Sequence, residues 1–139
     1  MTNTEIINAT EDQFEANKRE CNWFLYNVAR QLGVHLPAGT NANGLFDHMA
    51  SSSEWQLLGT GVAGMQDAVT KALDGKFVVA AQKGDTHGHV AVIIGVDRDG
   101  TPRASWGQHG SVGQKNGRLS RSWRRSSFPY ISYFVYAGS

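Results

Sequence analysis

A thiol attacks carbonyl carbon usefully only as thiolate, and such a nucleophile needs a base close by. The chain holds one cysteine, Cys21, and five histidines. Cys21 opens a helical pattern: Cys21, Phe24, Leu25, Val28 and Leu32 recur at i, i+3, i+4, i+7 and i+11, and Gly33 supplies the stop. Free N–H groups and the helix dipole favour negative charge at that end. They lower a thiol's pKa and offer an oxyanion hole for an attacked carbonyl. Lys18 and Arg19 lie just upstream. A lone cysteine is more often a small buried apolar residue, so its surroundings must decide. His89 opens the strongest strand pattern, His89-Val90-Ala91-Val92-Ile93-Ile94-Gly95-Val96, where a polar ring at the mouth of an apolar strand can face a helix terminus. His87 competes for the same role. Alternation puts it on the same side, but it stands outside the apolar run.

A third group, to orient the imidazole, follows from hairpin arithmetic. A symmetric turn over 97–100 sets Gln108 opposite His89, where side chains share a face. Gln108 then accepts from the ring. A loop longer or shorter by one residue substitutes His109 or Gly107, and a backbone carbonyl is the remaining alternative. Gln108 as a plain loop residue is an equal reading.

These residues need elements to hold them. Thr10 with Gln13 reads as a capping box opening a short helix over 10–16, and the polar run 17–20 as a break. The helix from Cys21 follows, then a loop over 35–44 and a short helix over 43–50. Residues 61–73 form another helix, with Val62, Met65, Ala68, Val69 and Leu73 on one side. Residues 77–81 and 89–96 read as strands, Asp97-Arg98-Asp99-Gly100 as a turn, and 102–107 as the returning strand. Glycines at 107, 110, 113 and 117 mark a loop, and 130–136 a last strand. Helices first and an antiparallel sheet afterwards make an α+β layout in one domain, 1–139.

Composition narrows the function classes. With 139 residues, 40% apolar and 18% charged, the chain suits one globular core. A net charge of +1 gives no whole-molecule signal for nucleic acid, and no run approaches the roughly 20 apolar residues that span a bilayer. No nucleic-acid or membrane partner is expected. A single cysteine excludes an internal disulfide. The N-terminus lacks the basic start and apolar run of a secretory signal, so the expectation is synthesis in the cytoplasm. Between Arg103 and Arg125 all charges are basic, which suits a solvated face, a carboxylate-rich substrate or an acidic partner protein. His87 and His89 alone are a weak zinc pattern, without His-Glu-x-x-His or Cys-x-x-Cys. No metal or cofactor is expected.

A helix-borne cysteine followed far downstream by a strand-borne histidine is the layout of papain-like peptidases and amidases. More specifically, the chain resembles the type VI secretion amidase effectors of the first family, NlpC/P60-like cysteine peptidases. Asn17-Lys18-x-x-Cys21, Phe24 through Gly33-Val34, the loop over 37–43, Gly88-His89-Val90-Ala91-Val92-Ile93, Val112-Gly113-Gln114 and Tyr133-Phe134-Val135-Tyr136 carry the resemblance. It implies Cys21 as nucleophile, His89 as base, and N-terminal helices packed on a C-terminal antiparallel sheet. It implies cleavage of the γ-D-glutamyl–meso-diaminopimelate bond of Gram-negative stem peptides, and substrate contacts from Trp23, Gly88 and Trp106. It further implies injection into the periplasm of a target bacterium by type VI secretion machinery, and a cognate immunity protein that occludes the site. Where the family has Cys-Ser-Gly-Phe, this chain has Cys21-Asn22-Trp23-Phe24, and bulky Trp23 reshapes the groove. The residue alternatives to an injected toxin are a housekeeping wall hydrolase of the same fold, a catalytically inactive binding or immunity-type module, and an intracellular peptidase or acyltransferase.

Overall fold

Thr2 starts the first helix, because its hydroxyl accepts from the Glu5 N–H at 3.1 Å. In the computed structural model, which describes residues 1–138, helix α1 runs Asn3–Asn17. The expected start at Thr10 is therefore corrected. Thr10 lies inside the helix, fully buried, and its hydroxyl donates to the Ile7 carbonyl at 2.7 Å instead of capping. The polar run does break the chain, and α2 (Cys21–Gln31) begins at the cysteine. Helix α3 (Ala42–Ser51) is capped by the Asn41 side chain, which accepts from the Gly44 N–H at 2.9 Å.

The strands are β1 (Trp55–Thr60), β2 (Val78–Gln82), β3 (His89–Val96), β4 (Pro102–Trp106), β5 (Gln114–Arg118) and β6 (Ser132–Tyr136), with helix α4 (Val62–Leu73) between β1 and β2. They form one antiparallel sheet ordered β1-β6-β2-β3-β4-β5. Residues 125–130, partly expected in the last strand, form a 3₁₀ turn that delivers the chain to β6. Two strands went unforeseen, and both are edges. Trp55-Gln56-Leu57-Leu58-Gly59-Thr60 is interrupted by a bulge between Leu57 and Gly59, which blurs its alternation. Gln114-Lys115-Asn116-Gly117-Arg118 is polar throughout, as an exposed edge should be.

Alternation along β2, β3 and β6 builds a core on each side of the sheet. Val79, Ala81, Val90, Val92, Ile94 and Phe134 pack with residues of α1, α2 and α3, including Phe24, Leu25 and Val28. Val78, Ala80, Ala91, Ile93, Tyr133 and Val135 pack on the opposite side with Met65, Ala68 and Ala72 of α4, and with Trp106 and Trp123. Burying each of the larger apolar side chains contributes roughly 1.5–3 kcal/mol. The buried side of α4 is Gly64, Met65, Ala68 and Ala72; Val62 and Leu73, expected to face inward, are mostly exposed. No helix among the described residues is long and apolar enough to cross a membrane.

Candidate active site

The first turn of α2 meets the first residues of β3, and that meeting defines the site. Cys21 is the first helical residue and is buried, packed with Phe24 and Val90 in the helix-side core. Burial pushes its thiol pKa up. The backbone N–H groups of Val90, Asn22 and Cys21 itself, all within reach of the sulfur, pull the other way, while the Glu20 charge adds to the rise. The Val90 contact fixes the relation to His89, because it places Sγ on the backbone of the very next residue. No hydrogen bond joins the thiol to the imidazole among the described residues. A looser nucleophile–base contact is usual in the free form of enzymes built this way.

His89 begins β3 and is partly buried, and burial brings its pKa down to about 4. Its ring is neutral at neutral pH, the form a general base requires. Alternation groups it with Ala91 and Ile93, so support comes from the far side of the sheet. Nε2 lies 2.6 Å from Ser122 Oγ, and the ring meets Trp123 edge-on with centroids 4.6 Å apart. Nδ1 makes no hydrogen bond among the described residues.

The third group expected from the hairpin is corrected by this geometry. Next to the turn the register is one residue off the symmetric expectation, with Gly95 opposite Arg103 and Val96 opposite Pro102, and a bulge between Ile93 and Gly95 restores the expected pairs, Val92 with Ser105 and Ile93 with Ala104. That pairing ends there, short of His89. Beyond Trp106 the chain turns under the α1–α2 junction, where the Gln108 and Gly113 N–H groups both donate to the Lys18 carbonyl, at 3.0 and 2.7 Å. Gly107 allows this approach, since a Cβ there would stand 2.5 Å from the Asn17 and Glu20 carbonyl oxygens. Gln108 thus serves the loop, and Ser122 occupies Nε2. His109, the fallback, pairs through Nδ1 with Glu20 at 3.2 Å.

A recess of about 140 Å³ opens beside the thiol, lined by Glu20, Cys21, Asn22, Asn41, His87 and His109 among others. The His87 and His109 rings face each other across it, centroids 4.3 Å apart. His87 is exposed and walls the recess, whereas His89 is partly buried and does not line it. Gly88 lines the same recess. A side chain there would collide with the Asn43 amide and stand 2.7 Å from the Gln82 carbonyl oxygen. Asn43 clamps the preceding loop, donating to the Gly84 carbonyl at 2.8 Å and accepting from the Gly84 N–H at 3.1 Å. Of the other expected substrate contacts, Trp23 stands 40% exposed on the outer side of α2, edge-on to Tyr26. Trp106 is corrected: at 1% exposure it belongs to the far-side core and is closed to a substrate.

Part of the basic stretch is structural. Asp97 accepts from Arg103 and Arg118, and Asp99 from Arg118, which holds the Asp99 carboxyl well below the usual carboxylate range. Arg121, Arg124 and Arg125 remain exposed.

Ser122, Trp123 and Asn43 escaped sequence reasoning. Ser122 lies 33 residues from His89, just after a 3₁₀ turn, with no periodicity to mark it. Asn43 left a faint trace as a polar residue at a helix start.

Residues 11–117 match the CHAP domain family. The chain is also similar to the peptidoglycan amidase Tse1 of Pseudomonas aeruginosa, at 35% identity over 95% of this chain and 89% of that protein. With a cysteine opening a helix and a histidine opening a strand, in a papain-like α+β fold, the chain belongs to the CHAP family of cysteine- and histidine-dependent amidohydrolases and peptidases.

Proposed function

We propose that this chain is a cysteine peptidoglycan amidase, acting as one domain, with Cys21 as nucleophile and His89 as general base. The supporting observation is the seating of Cys21 Sγ at a helix N-terminus, against the N–H of the residue that follows a neutral, buried-side histidine. His89 takes the thiol proton at Nδ1 as sulfur attacks the amide carbon. The N–H groups around the sulfur stabilise the developing oxyanion, and the imidazolium returns the proton to the leaving amine. Water then releases the acyl group from sulfur by the same base.

The substrate reading rests on similarity to a named peptidoglycan amidase over nearly the whole chain. Its finer form is cleavage of the γ-D-glutamyl–meso-diaminopimelate bond in Gram-negative stem peptides. With it go type VI delivery into the periplasm of a target bacterium and a cognate immunity protein that covers the recess. The test is digestion of purified Gram-negative sacculi, with mass analysis of the released muropeptides. Wild-type protein should release fragments cut at that bond. Folded Cys21→Ala and His89→Ala should release none, and His87→Ala should retain turnover. Turnover in folded Cys21→Ala would remove the thiol mechanism, and loss in His87→Ala alone would move the base to the exposed ring.

A further inference from the structure

We propose that Ser122 is a positioning residue for His89, its hydroxyl accepting from Nε2–H so that the neutral ring keeps its lone pair on Nδ1 toward Cys21. This deepens the reading of His89 as base and rests on it. A neutral imidazole carries one N–H, and the partner of one nitrogen decides the role of the other. With Nε2–H given to Ser122 Oγ at 2.6 Å, Nδ1 is the basic nitrogen. When the thiol proton arrives at Nδ1, the ring becomes cationic while Nε2–H still points at the serine oxygen. The bond is then charge-assisted and stronger than before transfer, so it favours the step and not only the resting state.

The serine is held rigidly. The N–H groups of Ser122 and Trp123 both donate to the Leu119 carbonyl, at 2.9 and 3.0 Å, and Leu119 is fully buried in the far-side core. Trp123, the next residue, meets the imidazole at 66° and restricts its rotation. One short turn therefore supplies both the hydrogen bond and the steric stop. A hydroxyl in this place orients the ring without taking its proton. A carboxylate would favour the charged ring, but no acidic residue stands between Arg103 and Arg125. Ser122 also lies outside residues 11–117, so membership of the family does not assign it.

The test combines nitrogen NMR with kinetics on the full chain. Histidine labelled with ¹⁵N should show His89 protonated at Nε2 in the wild type, and a mixture of tautomers in Ser122→Ala. Loss of one neutral hydrogen bond should lower kcat on sacculus fragments roughly tenfold, with KM within about twofold. Ser122→Thr, which keeps the hydroxyl, should recover most of the loss. His89 protonated at Nδ1 in the wild type would overturn the inference, as would a Ser122→Ala protein with unchanged tautomer and near-normal kcat. Should Ser122→Ala not fold, the wild-type tautomer and the Ser122→Thr kinetics decide. A wild-type protein inert on sacculi would instead fail the amidase reading, while the nitrogen spectra would still test Ser122.

Discussion

The two sides of the sheet contribute unequally to the site. The helix side supplies the proposed nucleophile, seated where α2 begins and packed beside Phe24 and Val90. The far side supplies what holds the base: Ser122 and Trp123, from a turn anchored through Leu119 beside Trp106 and the α4 core. The proposed nucleophile is thus set by a helix start and one strand contact, whereas the proposed base is set by far-side packing. Damage on the two sides should differ accordingly.

The largest contrast is expected at Trp106. It touches no substrate and fills the far-side core, so Trp106→Ala should cost about 3–5 kcal/mol of stability, measured by urea unfolding. The surviving folded fraction should show a disordered His89 ring, because the packing that seats Trp123 and Leu119 is loosened. A loss under 1 kcal/mol would mean that the far side is not the frame described here.

A smaller effect is expected from pH. His89 has its pKa lowered from 6.5 to about 4 on folding, so the unfolded chain binds the proton more tightly. The stability from keeping it neutral is present above pH 6.5, falls as pH drops, and is gone below pH 4. Between pH 7.5 and 5 the loss amounts to roughly 2 kcal/mol. Unfolding of wild type and His89→Gln at both values isolates it, since other groups titrate alike in the two. An equal pH response in both proteins would show that the ring is not buried as a neutral group.

The smallest effect is expected at Gln108, which serves the loop under the α1–α2 junction through its backbone. Gln108→Ala should leave turnover within about twofold of wild type, since its half-buried side chain makes no hydrogen bond among the described residues and only its backbone holds the loop.

What was readable in the sequence follows the same division. The α2 stripe, the β3 run and the β3–β4 hairpin were legible because each depends on neighbours within a few residues. The positions of Cys21 at the start of α2 and of His89 at the mouth of β3 came with them. Thr10 misled because a start signal inside a helix is chemically identical to one at its end; only Thr2, earlier in the chain, separates the two. The edge strands β1 and β5 were hidden, one by a bulge and one by polar composition. Gln108 rested on a symmetric turn that the structure reaches only through a bulge at Ile93–Gly95, and it failed because the chain leaves the ladder before reaching His89. Ser122 had no local signal at all. It reaches Nε2 only because α4, Trp106 and Leu119 assemble on the far side.

The central claim is that a thiol from one side and an imidazole held from the other act as one unit. Alkylation of Cys21 by iodoacetamide, followed by intact mass at neutral pH, measures that coupling directly. Proton removal by His89 should make the wild-type thiol react at least tenfold faster than the thiol of folded His89→Ala. Equal rates in the two proteins would contradict the account.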